Sequence, residues 1–155
     1  MKNISAKNFN LLSIKNEREK INLDLTRMRK ALFELGNPCH NIPAIQIVGT
    51  NGKGSISAFL ENILFLAKIK IGVTTSPHLF EVSERIRVNQ IKISAEKFDT
   101  LLKNIQTQLF KYKLTPFELI ICCALEYFEL NNVNLLILEA GLGGRLDATT
   151  AHKLR

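Results

Sequence analysis

The sequence centres on the stretch Ala44-Ile45-Gln46-Ile47-Val48-Gly49-Thr50-Asn51-Gly52-Lys53-Gly54-Ser55, in which an apolar run leads into a turn with three glycines and one lysine. A helical pattern of apolar residues begins directly after this turn. Glycines let the backbone adopt positive φ angles, so that consecutive N–H groups converge on an anion. The N-terminus of the following helix adds a partial positive charge. The order of strand, turn and helix therefore predicts a phosphate-binding loop.

Lys53 and Ser55 are the side chains of this loop that suit a polyphosphate. The lysine can reach a β- or γ-phosphate as a mobile point charge, and the serine hydroxyl can meet a phosphate or its Mg²⁺. The spacing differs from the common motif, which has a glycine where Ile47 stands and Ser or Thr where Gly54 stands. Taken alone, the loop therefore leaves open an ordinary tight turn between a strand and a helix.

Composition and charge indicate a globular domain with a basic surface. The 155 residues are 46% hydrophobic and 23% charged, which suffices for one domain with a core. The net charge is +7, but the basic residues are dispersed, which favours a solvated surface suited to ATP and an anionic substrate over nucleic-acid binding. Because neither a signal peptide nor an apolar stretch of membrane-spanning length is evident, we expect a cytoplasmic protein without a membrane partner.

Periodic apolar residues predict four helices. We expect residues 1–20 to be a loose, polar lead-in and a helix to run from Ile21 to a stop at Gly36-Asn37-Pro38. A third helix has Ser94 as its N-cap, and Thr115-Pro116-Phe117-Glu118 is a capping box that begins a fourth and accounts for Glu118. The second helix, after the phosphate loop, should lie against a sheet through an apolar stripe that comprises Ile56, Phe59, Leu60, Ile63, Leu64 and Ala67.

Three apolar runs, at 45–48, 71–75 and 134–139, predict strands that alternate with these helices. The last run is nearly continuous, which implies burial on both faces, as in a parallel sheet. The sequence therefore predicts a three-layer α/β domain over residues 21–155, a P-loop nucleotide-binding domain with a parallel sheet. Alternating residues at 84–89 suggest a further short strand or a piece of extended chain. Because three strands make a thin sheet with unprotected edges, we expect the C-terminal part of this domain and a second domain to be missing.

Polar side chains follow two of the predicted strands, at the edge where open α/β sheets bind ligands. Glu139 ends the third strand, and across from the phosphate loop it would be a Mg²⁺ ligand; an exposed glutamate at a strand end is the alternative. His78 follows the second strand beside Pro77, where a structural role is favoured over a catalytic one. Cys122 and Cys123 lie in an apolar stretch and are predicted to be buried thiols.

Four segments of the chain resemble, in the same order, those of folylpolyglutamate and dihydrofolate synthases, which belong to the Mur ligase superfamily of ATP-dependent amide-bond-forming enzymes. The segments are residues 49–55, residues 75–79 with 84–89, residues 114–118 and residues 138–149. The last of them reads Leu138-Glu139-Ala140-Gly141-Leu142-Gly143-Gly144-Arg145-Leu146-Asp147-Ala148-Thr149. The resemblance runs from about Leu25 to the end, and it identifies the chain as similar to the N-terminal part of such enzymes.

The resemblance implies a ligase that uses ATP to phosphorylate a carboxylate of a pteroate or folyl substrate, after which the amine of L-glutamate attacks the acyl phosphate. Lys53 would be the catalytic residue that offsets charge on the transferring phosphoryl group. Mg²⁺ would be held by Ser76 and Glu139, and the pterin by Thr115, Phe117 and Asp147. ATP would be bound by Gly49, Thr50, Asn51, Gly52, Lys53, Gly54 and Ser55. We expect the full-length enzyme to be a monomer.

Two residues depart from the family pattern: Gln90 stands where glycine is common, and Thr150 where asparagine is frequent. Both departures concern local loop shape. Two other functions stay open, namely another Mur-type amide ligase and a non-catalytic module that binds a nucleotide or a nucleic acid. We expect the 155-residue chain alone to be inactive, because the resemblance implies further metal ligands and a C-terminal domain beyond Arg155.

Overall fold

The computed structural model describes residues 24–141 and 143–152. The predicted lead-in, residues 1–20, lies outside the described residues. The described α-helices are α1 (Thr26–Glu34), α2 (Lys53–Leu66), α3 (Ala95–Gln108) and α4 (Pro116–Leu130). The strands are β1 (Ala44–Ile47), β2 (Ile71–Thr74), β3 (Ile86–Val88), β4 (Ile91–Lys92) and β5 (Leu135–Glu139). None of the described helices is long and apolar enough to span a membrane.

The strands form one sheet in the order β1-β5-β2-β3-β4. The three predicted strands β1, β5 and β2 run parallel, with β5 between the other two, as its buried apolar run indicates. The predicted α/β fold with a parallel sheet is therefore confirmed. Two further strands extend the sheet beside β2, because β3 pairs antiparallel with β2 and β4 pairs antiparallel with β3.

The β3–β4 hairpin was only partly visible in the sequence. Residues 86–88 fall within the predicted stretch 84–89, whereas β4 has two residues and too little periodicity to be recognised. Asn89 and Gln90 form the turn between the strands with φ angles of 48° and 69°. Two successive left-handed residues match the twist of a tight hairpin, and glycine is the usual choice there. Gln90, the departure from the family pattern, therefore occupies a position where a non-glycine residue is strained.

Two apolar clusters, one on each face of the sheet, make the three layers. One contains side chains of α1, α3 and α4 together with Leu136 and Leu138 of β5. The other contains Ile47, Ile71, Val73 and Ile137, against which α2 packs. Alternate residues of β5 thus serve opposite layers, as the two-residue period of a strand requires.

The predicted apolar face of α2 is confirmed for Leu60 and Leu64, which pack against the sheet, and wrong for three other residues. Ile56, Phe59 and Ile63 are 50%, 65% and 62% exposed, whereas Ser57 is fully buried and Glu61 is 5% exposed. Hydrophobicity alone would turn the whole apolar stripe toward the sheet, but the buried face of α2 includes Glu61, which forms an ion pair with Arg87 of β3. The Ser57 hydroxyl is satisfied within the helix, where it donates to the Lys53 carbonyl at 3.0 Å. Leu60 and Leu64 provide the apolar contacts of this helix with the sheet.

The predicted caps and buried thiols are confirmed. Ser94 Oγ accepts from the Lys97 amide, and Thr115 and Glu118 form a reciprocal capping box at the start of α4. Cys122 and Cys123 are fully buried. Burial raises the pKa of both thiols, as a desolvated thiolate is disfavoured. These cysteines are core residues.

Candidate functional site

Three strand ends meet at one edge of the sheet and define the candidate site. β1 leads into the glycine-rich loop, β5 ends at Glu139, and β2 leads to Thr75 and Ser76. The register pairs Ile47 with Glu139 and Thr74 with Leu138, so the three ends are level. This is the carboxyl edge of the parallel strands, where open α/β sheets bind ligands.

The glycine-rich loop has the backbone shape that phosphate binding requires. Gly49 and Gly52 have φ angles of 149° and 76°, in the region that favours glycine. Gly52 is the N-cap of α2, so the free N–H groups of the first helical turn face the loop. Lys53 Nζ donates to the Gly49 carbonyl at 2.9 Å, which places the lysine charge across the loop. Ser55 is exposed in the same turn.

Glu139 is a buried carboxylate beside this loop. The residue is 3% exposed, so the alternative of a solvent-exposed glutamate does not hold. Its Oε2 accepts from the Ser76 amide at 3.3 Å, a long hydrogen bond. Burial raises the pKa of Glu139, while that hydrogen bond and the charges of Lys53 and Arg87 act in the opposite direction. The cations of the loop and of β3 are therefore close enough to influence this carboxylate.

The donor set around Glu139 fits a magnesium ion that is shared with phosphates. No cluster of three His, Cys, Asp or Glu side chains that would form an all-protein metal cage occurs within residues 24–141 and 143–152. Mg²⁺ usually takes one or two carboxylates and completes its octahedron with substrate phosphates and water. That requirement is met by the carboxylate of Glu139, by Ser76 at the neighbouring strand end and by the adjacent glycine-rich loop.

The three residues that the resemblance assigns to a pterin lie around the segment after β5. The ring of Phe117 covers Gly141 so closely that a Cβ there would stand 3.0 Å from the ring. Asp147 Oδ2 accepts from the Gly141 amide at 2.9 Å, so the structure brings Phe117 and Asp147 to the same residue. Thr115 lies two residues before Phe117 and uses its hydroxyl in the capping box.

Asp147 also holds its own loop together. Asp147 is 5% exposed, and its Oδ1 accepts from the Thr149 amide and hydroxyl at 3.0 and 2.7 Å. Thr150, the second departure from the family pattern, donates to the Gly144 carbonyl at 2.6 Å and accepts from Gln46 of β1 at 2.7 Å. The threonine therefore anchors the loop to the strand that feeds the glycine-rich turn.

Sequence reasoning missed an arginine-centred group next to the site. Arg87 contacts Glu61 on α2 and the hydroxyl of Thr75, and Arg85 donates to His78 Nδ1 at 2.9 Å. The alternation of residues 84–89 indicated a strand but not these partners. Glu61 lies 26 residues from Arg87, and no local pattern links the two.

The curated relatives and the solved structures that resemble this chain are proteins of the same family. No family model matches the sequence. The probable dihydrofolate synthetase of Schizosaccharomyces pombe is 43% identical over 131 residues, which are 83% of this chain and 31% of that protein. The dihydrofolate synthase/folylpolyglutamate synthase of Bacillus subtilis is 39% identical over 132 residues, 81% of this chain and 31% of its own length. The chain thus spans about a third of the length of these curated relatives.

Solved structures of folylpolyglutamate synthases have the fold of this chain. The bifunctional folylpolyglutamate synthase/dihydrofolate synthase of Yersinia pestis, complexed with AMPPNP and a Mn ion, superposes with a TM-score of 0.87 at 31% identity. The match covers 97% of this chain and 37% of that one. The folylpolyglutamate synthase of Thermotoga maritima gives a TM-score of 0.82 at 35% identity, over 93% of this chain and 36% of its own.

Proposed function

Because the chain belongs by sequence and by fold to the family of dihydrofolate and folylpolyglutamate synthases, we propose that it forms the nucleotide- and metal-binding part of an ATP-dependent ligase. The reaction joins L-glutamate to a pteroate or folyl carboxylate through an acyl phosphate. The observation that carries the proposal is the meeting of the glycine-rich loop, Lys53 and buried Glu139 at one sheet edge. Residues 21–155 would then be the N-terminal part of a Mur-ligase-like ATP-binding domain.

The residues of the loop bind and orient the triphosphate. The amides of the first turn of α2 and the glycines before it cradle phosphate oxygens, and Lys53 exchanges its contact with the Gly49 carbonyl for the transferring phosphoryl group. Ser76 and Glu139 would hold Mg²⁺, which neutralises phosphate charge when it is bound. One solved relative contains Mn, AMPPNP and L-glutamate together, which supports the same ligand classes here.

Thr115, Phe117 and Asp147 are proposed to receive the pterin. An aromatic ring offers a face for stacking, and a carboxylate accepts hydrogen bonds from ring N–H groups. Asp147 accepts hydrogen bonds from Gly141 and Thr149, so it also fixes the loop beside which the pterin would lie.

Two measurements test the proposed function. Isothermal titration of the 155-residue chain with AMPPNP and Mg²⁺ should show binding, whereas ADP release in the presence of ATP, dihydropteroate and glutamate should be absent. A chimera then tests the reaction: residues 24–152 replace the matching segment of the Bacillus subtilis relative. Glutamate-dependent ADP release that requires a pteroate is expected from the chimera. Activity with a different acid would instead indicate another Mur-type ligase, and salt-sensitive RNA or DNA binding without nucleotide binding would refute the proposal.

A further inference from the structure

Arg87 joins three elements through one guanidinium. Its Nε and Nη2 donate to Glu61 Oε2 on α2 at 3.1 and 2.8 Å. Its Nη1 donates to the Thr75 hydroxyl at 3.1 Å and to the Glu84 carbonyl at 2.9 Å. A planar fork with five N–H groups can serve all of these acceptors at once, which a lysine cannot do.

The elements that Arg87 joins are the two sides of the candidate site. α2 begins at the glycine-rich loop, and Thr75 directly precedes Ser76. The pair is largely removed from water, with side chains 21% exposed for Arg87 and 6% for Glu61. A buried pair of this kind fixes geometry strongly, because removing one partner leaves the other charge uncompensated.

Glu139 is a second carboxylate within the influence of Arg87. Arg87 Nη1 donates to the Thr75 hydroxyl, and the amide of the next residue, Ser76, donates to Glu139 Oε2 at 3.3 Å, so the two charged groups flank the same two residues. A guanidinium that turned to Glu139 would form a strong bidentate pair and occupy the oxygens that a cation needs. In the structure Glu61 takes the guanidinium instead.

We infer that Glu61 and Arg87 are positioning residues of this site. Glu61 holds the Arg87 guanidinium against α2, where it orders Thr75 and Ser76 and leaves Glu139 for a divalent cation. The ordering of Thr75 and Ser76 is independent of the proposed function, whereas the protection of Glu139 rests on it.

Hydrogen exchange of the ligand-free chain tests the ordering. In Arg87→Met, the Thr75 and Ser76 amides should exchange at least tenfold faster, while amides of β5 stay unchanged. Arg27→Met is the matched control, because Arg27 pairs with Glu118 at 2.9 Å with similar exposure on another helix. Unchanged exchange at Thr75 and Ser76, or equal acceleration in the control, would overturn this half of the inference. If Arg87→Met does not fold, the neutral double variant E61Q/R87M replaces it.

A magnesium titration at saturating AMPPNP tests the protection of Glu139. In Glu61→Gln, Arg87 keeps its charge and can pair with Glu139. The Mg²⁺ affinity of this single variant should therefore be at least tenfold weaker than that of the double variant E61Q/R87M. If the ion pair is merely structural, the two variants should bind Mg²⁺ with equal affinity. That result would overturn the inference that Glu61 keeps Arg87 away from Glu139. If the unaltered chain does not bind Mg²⁺ with AMPPNP, the proposed function and the protection that rests on it both fail for this chain. The exchange measurement still decides the ordering in that case.

Discussion

Replacing Glu139 by glutamine should stabilise the ligand-free protein and remove its response to Mg²⁺ with nucleotide. Glu139 is 3% exposed and burial raises its pKa, so the folded protein disfavours the charged carboxylate despite the Ser76 amide and the charges of Lys53 and Arg87. Burying a polar group with imperfect compensation costs about 1–3 kcal/mol. Glutamine has the same length and no charge. We therefore expect a gain of about 1–2 kcal/mol in the free energy of unfolding, or about 3–6 °C in the midpoint.

Thermal unfolding in EDTA and in Mg²⁺ with AMPPNP separates the two effects. A ligand at 100 times its Kd stabilises a protein by about 2.7 kcal/mol, so the unaltered chain should gain about that much. The free energy of unfolding of Glu139→Gln should rise little when Mg²⁺ and AMPPNP are added. The variant is thus expected to be the more stable protein without ligand and the less stable one with it.

Glu126→Gln is the matched control for this prediction. Glu126 is a part-buried carboxylate of α4 whose pKa is raised by burial and by the charge of Glu129, and it lies outside the candidate site. Its replacement should stabilise the ligand-free chain and leave the nucleotide response intact. Destabilisation of ligand-free Glu139→Gln, or an undiminished response to Mg²⁺ with AMPPNP, would refute the reasoning.

Three further substitutions are expected to have distinct effects. Gly72→Ala should cost about 1–3 kcal/mol in urea unfolding, because its Cβ would stand 2.6–2.9 Å from the fully buried ring of Phe128; a neutral effect would contradict this packing. His152 Nε2 lies 2.8 Å from the Cys39 carbonyl, and burial lowers the pKa of His152 below its ordinary 6.5. As the pH falls, the unfolded chain therefore protonates His152 at a higher pH than the folded chain does. The free energy of unfolding should then fall as pH drops below about 6.5, and urea midpoints should fall less in His152→Gln. Lys53→Ala should weaken nucleotide binding by about 10- to 100-fold in calorimetry; unchanged affinity would remove Lys53 from the site.

The parts of the fold that the sequence predicted depend on neighbouring residues. The caps at Ser94 and Thr115 rest on side chains that reach amides three residues away. The glycine-rich turn rests on φ angles that Gly49 and Gly52 adopt at low cost. The central position of β5 follows from its continuous apolar run, which needs cover on both faces. Each of these signals is contained in a few consecutive residues.

The arrangement of α2 shows where local patterns fail. Its apolar residues Ile56, Phe59 and Ile63 predict one face toward the sheet, and the structure turns another face inward. Asn62 accepts a hydrogen bond from Gln90 and Glu61 pairs with Arg87, so that flank faces the β3–β4 hairpin. These contacts come from a distant strand, so the helical hydrophobic pattern carries no trace of them.

By itself, the sequence determined the α/β class, the glycine-rich turn before α2, the helix caps and the family, because periodicity, glycine spacing and short motifs act over a few residues. Only the tertiary structure decided the strand order, the rotation of α2 and the burial of Glu139 beside Lys53. It also decided that Arg87 pairs with Glu61 rather than with Glu139. These features depend on groups that are tens of residues apart in the chain, and their energies arise only when folding removes both partners from water.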